Sequence, residues 1–114
     1  MKKIAVFLFE GAELFEIASF TDVFGWNNIV GFKEFRDIKV ETISYKESIK
    51  CTWGGSLKVE KLITEENIEN FFDYDALIIP GGFGKANFFK DKDNEIFKKL
   101  VANFSENNKI IVAI

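Results

Sequence analysis

The sequence predicts an α/β fold: a mostly parallel, doubly wound sheet covered by helices on both faces, with a small antiparallel hairpin. Three short runs, residues 4–9, 76–79 and 110–114, are continuously apolar, which is typical of strands buried on both faces. Segments with helical spacing lie between strand-like runs, and this alternation favours parallel strands joined by helical crossovers. We therefore expect the three apolar strands to be adjacent at the centre of the sheet.

Length and composition limit the class of protein. The 114 residues are 47% hydrophobic, enough for one packed core. We expect one α/β domain over residues 1–114, incomplete at its C-terminal end because a buried strand closes it. The net charge is −3 and the basic residues are scattered among acids, so the composition argues against nucleic-acid and membrane partners.

The chain has no apolar stretch of transmembrane length and no leader-like start, so we expect a cytoplasmic protein. It contains no histidine and one cysteine, Cys51. These counts exclude an internal disulfide framework and a His-ligated metal site within this chain. We expect no cofactor and no metal.

The first helix is predicted over residues 13–28, with Glu13 in the first turn, where the helix dipole favours a negative charge. Its apolar residues cover most of the circumference, so the helix is either buried on two sides or in contact with another subunit. The segment from Gly25 to Gly31 is expected to end it.

The remaining elements follow from local patterns. Residues 37–45 alternate as in a strand, and Gly54-Gly55 joins a predicted hairpin of residues 50–53 and 56–60. Thr64, with Asn67 three residues later, is predicted to cap a short helix that ends near residue 72. A helical turn is expected at residues 87–90, and a helix over residues 94–104.

The strand at residues 76–79 stops at Pro80-Gly81-Gly82. Glycine adopts positive φ at little cost, so we expect the N–H groups of Gly81 and Gly82 to turn outward and hold a phosphate, a carboxylate or a developing oxyanion. The alternative is an ordinary tight turn between a strand and a helix.

Glu16 is the candidate acid at the carboxyl edge of the sheet, where open parallel sheets place their sites. It shares a helix face with Glu13, and burial would raise the pKa of its carboxyl group. The alternative is a solvated surface acid. No residue is a credible nucleophile: Cys51 is expected in the hairpin, away from this edge, as a small, partly buried side chain.

Together these motifs resemble the DJ-1/PfpI (ThiJ-like) family of the class I glutamine-amidotransferase-like superfamily. The resemblance covers the whole chain and implies the N-terminal part of a flavodoxin-like domain. It is carried by residues 3–6 (KIAV), 10–16 (EGAELFE), 21–24 (TDVF), 75–82 (DALIIPGG) and 110–114 (IIVAI).

The resemblance also implies a chemistry. In the family, a reactive cysteine directly follows the closing Ala-Ile pair, and this sequence ends one residue short of it. Glu16 matches the acid that hydrogen-bonds that cysteine, Gly82 the backbone oxyanion donor, and Gly81 its support. The implied function is a cysteine-dependent enzyme of glyoxalase, deglycase or amidase type, a hydrolase or lyase, or a stress protein, acting on small carbonyl or thiol-reactive substrates.

Two other functions stay open at this stage. Such sequences are also associated with thiazole monophosphate biosynthesis, although no residue here points to a thiazole. A function of another class is a non-catalytic dimeric module that senses redox state or acts like a chaperone. The residue that follows Ile114 would distinguish a thiol enzyme from such a module.

A homodimer through the first helix and the hairpin is the last prediction. Phe15 and Phe20 lie outside the helical stripe defined by Leu14 and Ala18, and Trp53 lies near the hairpin tip with little local cover. Aromatic residues are favoured in interface cores, and the resemblance also implies pairing through this helix. The alternative is that Phe15 or Phe20 packs under the loop at residues 31–36.

Overall fold

A computed structural model describes residues 1–31, 37–84, 88, 90 and 94–114. A five-stranded sheet runs through it in the order β5-β2-β1-β6-β7, with every adjacent pair parallel. Strands β3 and β4 form a separate antiparallel hairpin. In chain order the elements are β1 (Lys2–Phe7), α1 (Leu14–Val30), β2 (Ile38–Ser44), β3 (Ser48–Lys50), β4 (Ser56–Lys58), β5 (Lys61–Leu62), a 3-10 helix (Ile68–Phe71), β6 (Ala76–Ile79), α2 (Asn94–Glu106) and β7 (Ile110–Ala113).

This architecture is the predicted flavodoxin-like α/β fold with a small antiparallel hairpin. Strands β1, β6 and β7 are adjacent, as predicted, but β7 lies at the edge of the sheet and not at its centre. Ile110 is 64% exposed and Ile114 50% exposed. The central placement was therefore wrong for β7, because no strand in the described part of the chain pairs with its outer edge.

The core is built around β1, which lies between β2 and β6. Ala5, Val6, Phe7 and Leu8 are fully buried. An aromatic cluster packs against this strand, and the ring centroid of Phe88 lies 5.4 to 5.8 Å from those of four neighbours. The cluster consists of Phe7, Phe9, Tyr45, Phe88 and Phe97. These contacts account for part of the high phenylalanine content.

Helix α1 runs two residues past its predicted end, to Val30. Gly25 does not end it, because a glycine inside a helix costs only about 1 kcal/mol relative to alanine. Ile17 is its buried residue, whereas Phe15, Trp26 and Ile29 are more than 60% exposed.

The hairpin forms around Gly54-Gly55, but its strands are shorter than predicted, and Cys51 lies outside them. Thr64 and Asn67 bond reciprocally in the turn before the 3-10 helix: each side chain accepts a hydrogen bond from the backbone N–H of the other residue. The helix itself starts at Ile68 without a side-chain cap, so the predicted cap by Thr64 was wrong. Strand β5 was not predicted. The helical turn expected at residues 87–90 falls largely outside the described residues.

A buried polar pair joins β2 to the segment before β6. Glu41 is 3% exposed and accepts a 2.7 Å hydrogen bond from the hydroxyl of Tyr74. Burial opposes ionisation of Glu41, but the hydrogen bonds from Tyr74 and Lys61 outweigh it, so its pKa is lowered. This network supports the edge of the sheet next to β5. Across the described residues, no helix has the length and apolar character needed to cross a membrane.

Candidate functional site

The site begins where β6 ends, at a turn that only glycine can form. Gly82 has a φ of +145°, a backbone conformation that side chains of L-residues rarely adopt. A Cβ at this position would lie 2.2 Å from the carbonyl oxygen of Gly11. Gly81 has no positive φ, so the expectation that both glycines require one holds for Gly82 alone.

The start of α1 is fastened to the peptide groups of Gly81. The Gly81 N–H donates a hydrogen bond to Oε2 of Glu16, with a distance of 2.5 Å. In return, the Glu13 N–H donates to the Gly81 carbonyl oxygen at 2.8 Å. Glu16 is therefore held at the carboxyl edge of the sheet by a backbone donor and is only partly buried.

Glu16 also lies next to the end of β7. A Cβ built on Gly81 would lie 2.9 Å from Oε2 of Glu16 and 3.4 Å from the carbonyl oxygen of Ile114. The Ile114 N–H pairs with the Ile79 carbonyl oxygen at 3.1 Å, which keeps the chain in register up to this point. The structure thus brings Glu16, the glycine turn and the end of β7 together; the chemical role of Glu16 stays a prediction.

The two predicted N–H donors of the turn differ. The Gly81 N–H is already bound to Glu16. The Gly82 N–H has no acceptor within residues 1–31, 37–84, 88, 90 and 94–114. Gly81 thus holds Glu16, whereas the role of the Gly82 N–H as a donor to an anion stays a prediction.

Thr52, in the hairpin loop, joins three segments at this edge. Its hydroxyl donates to the Gly11 carbonyl oxygen and accepts from the Phe83 N–H at 3.3 Å. Its own N–H donates to the Ala12 carbonyl oxygen at 3.0 Å. The loop is thus attached to the chain after β1 and to the chain after β6.

Cys51 was expected away from the carboxyl edge, and this placement was wrong. It forms an isolated parallel bridge with Ala12, because the loop between β3 and β4 folds back onto the end of β1. The thiol group is buried. Burial raises the pKa of Cys51, and repulsion by Glu10 and Glu13 raises it further. Cys51 is therefore a poor thiolate, in agreement with the sequence analysis.

A cavity of about 340 Å³ opens beside the hairpin loop. The rings of Trp53 and Phe83 line it and meet edge to face, with centroids 5.3 Å apart. Sequence reasoning missed Thr52 and Phe83 as members of this edge. No local pattern identifies them, because their contacts join residues that are far apart in sequence.

The three predicted interface residues have different surroundings. Phe15 is 82% exposed on α1. Phe20 is partly buried and packs against the core. Trp53 is exposed, but its Nε1–H donates to Oε1 of Glu13 at 3.0 Å. The dimer itself stays a prediction.

Comparison with solved structures agrees with this fold. The chain is similar to a structure described as a protease I from Bacteroides thetaiotaomicron, with a TM-score of 0.80 and 18% identity, covering 99% of this chain and 62% of that one. It is similar to Drosophila melanogaster DJ-1beta, with a TM-score of 0.77 and 21% identity, covering 98% and 54%. A DJ-1 superfamily protein from Salmonella typhimurium gives a TM-score of 0.76 and 22% identity, covering 99% and 55%.

These similarities, all under 25% identity, show the fold alone. The chain spans between 54% and 62% of the length of these three proteins. None of the curated proteins matched it. A model of the DJ-1/PfpI family matches residues 2–114, and the chain therefore belongs to the DJ-1/PfpI family.

Proposed function

We propose that this chain supplies the acid and the backbone donor of a thiol-dependent site that acts on small carbonyl or thiol-reactive compounds in the cytoplasm. One observation carries the proposal: Glu16 binds the N–H of Gly81, and the carbonyl oxygen of Ile114 lies beside this same glycine, which directly precedes Gly82. In the family pattern, the reactive cysteine stands directly after this position.

The chemistry of such a site follows from the two groups. A thiolate attacks the carbonyl carbon of the substrate, a C–S bond forms, and the electron pair of the C=O bond moves onto oxygen. The Gly82 N–H donates to this oxyanion, as in other acyl-transfer and carbonyl-addition sites. Glu16 holds the thiol in place through a hydrogen bond, and the Gly81 N–H fixes the carboxyl group.

The same proposal includes a homodimer through α1. The exposed side chains of Phe15, Val23, Trp26 and Ile29 form a large apolar surface on this helix, and such surfaces mark protein interfaces. This surface fits the rival function equally well, which is a non-catalytic redox-sensing or chaperone-like dimer. The described residues contain one thiol, the buried Cys51, so the reactive cysteine of the enzyme proposal lies outside them.

The experiment begins with the intact mass of the protein purified from its natural source, which reports whether a cysteine follows Ile114. Alkylation by iodoacetamide is then measured against pH in a Cys51→Ala background. We expect Glu16→Gln to shift the pH midpoint of alkylation. Glu13→Gln is the matched control. It removes a carboxylate near the start of the same helix, but the Glu13 side chain contacts Trp53 and not the Gly81 N–H.

Two results would overturn the enzyme proposal. The first is a residue without a nucleophilic group after Ile114, which favours the non-catalytic module. The second is a reactive thiol whose alkylation midpoint is the same in the Glu16→Gln and Glu13→Gln proteins, because Glu16 would then have no contact with it.

A further inference from the structure

The cavity beside the hairpin loop adjoins the proposed thiol site but is lined by other residues. Its volume is about 340 Å³, and Glu16 and Gly82 are not among its lining residues. Glu10, Lys50 and Cys51 line one part of it, and Trp53 and Phe83 line another. A volume near the lower end of the range for ligand pockets, about 300 to 1,000 Å³, suits a small ligand.

Two large aromatic rings are held at this cavity while remaining in solvent. Trp53 is 77% exposed and Phe83 is 75% exposed. The Trp53 Nε1–H donates to Glu13, which positions the indole ring, and the backbone N–H of Phe83 donates to the hydroxyl of Thr52, which positions the backbone that carries the second ring. The rings are therefore kept apart from the core, where their burial would be favourable. Exposed aromatic faces attract cations through the ring quadrupole.

Acidic and basic residues both lie at the cavity, because Lys50 lines it together with Glu10. Glu10 lies in its lining and accepts hydrogen bonds from Lys46 Nζ at 2.9 Å and from the Lys50 N–H at 3.0 Å. Burial opposes its ionisation, but these two contacts outweigh burial and lower the pKa of Glu10, so the group is a carboxylate at neutral pH. Each carboxylate oxygen has a further lone pair for another donor.

Glu13 adds a second negative charge near the rings. Within the described residues its carboxylate forms no ion pair, whereas Lys46 offsets part of the charge of Glu10. Repulsion from both acids acts on the Cys51 thiol at the cavity wall and disfavours its thiolate. Glu13, whose side chain accepts a hydrogen bond from the Trp53 ring, therefore favours a cation over an anion beside that ring.

We propose that this cavity binds a small organic cation, an amine or a quaternary ammonium group, between the Trp53 and Phe83 rings and the Glu10 carboxylate. The rings provide cation–π attraction, and the carboxylate supplies the opposite charge. This site adjoins the proposed thiol site at Phe83, which directly follows Gly82, but binding of the cation does not require the thiol.

Choline and its neutral carbon isostere, 3,3-dimethylbutan-1-ol, test the proposal directly. The titration uses the protein at its natural length and constant ionic strength, in a Trp26→Phe background. It follows the part of the tryptophan fluorescence that is lost in the matched Trp53→Phe protein, so that the signal comes from Trp53. We expect saturable binding of choline and binding of the neutral isostere that is about tenfold weaker or more. Equal affinity for the two compounds would overturn the assignment of a cation site.

Variants locate the binding and separate it from dimer formation. Glu10→Gln and Phe83→Leu should each weaken choline binding several-fold, whereas Phe15→Leu, which removes an exposed ring on α1, should leave it unchanged. Circular dichroism confirms that each variant is folded. If Trp53 instead lies between two copies of the chain, Trp53→Leu will lower the sedimenting mass. Choline will then show no saturable binding, and that result would also overturn the proposal.

Discussion

The two long helices of this protein differ in how many of their apolar side chains are buried. In α2, Phe97, Leu100 and Phe104 recur at helical spacing and are all buried. In α1 apolar residues occur around the whole circumference, and Ile17 is the buried one. A single stripe can pack against one sheet, but a helix that is apolar on all sides cannot be covered by one sheet face. The exposed apolar side chains of α1 are therefore not explained by packing within this chain.

Helix α1 is instead attached by polar contacts at both ends. At its start, Glu13 and Glu16 bind the peptide groups of Gly81. Near its end, the Asn28 side chain donates to the Ile38 carbonyl oxygen at 2.6 Å and accepts from the Ile38 N–H at 2.9 Å. These contacts fix the position of α1 and leave its outer face free for a partner.

The strongest test of this contrast is Leu100→Ala in α2. Leu100 is fully buried, and truncating such a side chain removes its transfer free energy and leaves a cavity, a loss of about 2 to 5 kcal/mol. Guanidinium unfolding at fixed protein concentration measures it. The control, Lys98→Ala on the exposed face of α2, should change stability by no more than about 0.5 kcal/mol. Equal losses in the two variants would show that α2 does not depend on its apolar stripe.

On α1 the corresponding change should affect assembly and not folding. Phe15→Lys places a charge on the exposed surface, so we expect the fold to be kept and the dimer to dissociate about tenfold more readily or more. Sedimentation at micromolar concentration should return twice the chain mass for the parent protein and a lower mass for the variant.

Ile110→Lys is the matched control for Phe15→Lys, because Ile110 is another exposed apolar residue, at the edge strand β7. It should leave the mass unchanged. A parent protein that sediments as a monomer, or two variants that dissociate alike, would contradict pairing through α1.

The sequence was a good guide to α2 and a partial one to α1. The spacing of apolar residues in α2 is a local signal, and the predicted start at residue 94 is the observed one, with an end two residues further on. The end of α1 was placed too early because Gly25 was taken as a stop signal, although its cost in a helix is small. Strand β5 was missed because two residues, Lys61 and Leu62, carry no periodicity.

In the candidate site, too, some residues could be placed from local patterns and others could not. The positions of Gly82 and Glu16 at this edge could be predicted because one is a backbone requirement and the other belongs to a recognisable motif; their chemical roles stay predictions. Thr52 and Phe83 were missed because the hydroxyl that joins them to Gly11 acts between segments far apart in sequence. Cys51 was misplaced for this reason too: the direction in which the hairpin loop folds back is set by contacts that no local pattern records.

A smaller loss of stability is expected when the polar contact near the end of α1 is removed. Asn28→Ala removes both hydrogen bonds to Ile38, and since the side chain is exposed, we expect a loss of about 1 kcal/mol. Urea unfolding measures the change. Asn107→Ala is the control, because its side chain bonds only to the Asn103 carbonyl oxygen within its own helix and turn. A loss as small as that of the control would mean that the polar contacts do not hold α1.

The smallest change in stability is expected for Gly25→Ala, which should stabilise the protein. Gly25 lies inside α1 with no positive φ, and no atom lies within 4 Å of the position where its Cβ would be. Alanine at such a site reduces the conformational freedom of the unfolded chain and raises stability by about 0.4 to 1 kcal/mol. Denaturant unfolding at fixed protein concentration measures the gain.

The mass of the Gly25→Ala protein then limits how much of α1 takes part in pairing. Gly25 lies four residues before Ile29 and so projects on the same side of the helix, next to the exposed surface. If the two copies meet mainly at Phe15, an added methyl group ten residues away will leave the dimer intact and the gain in stability will be seen. If the dimer dissociates instead, the helices must approach closely at Gly25, because only there does a methyl group take the place of a partner's atoms.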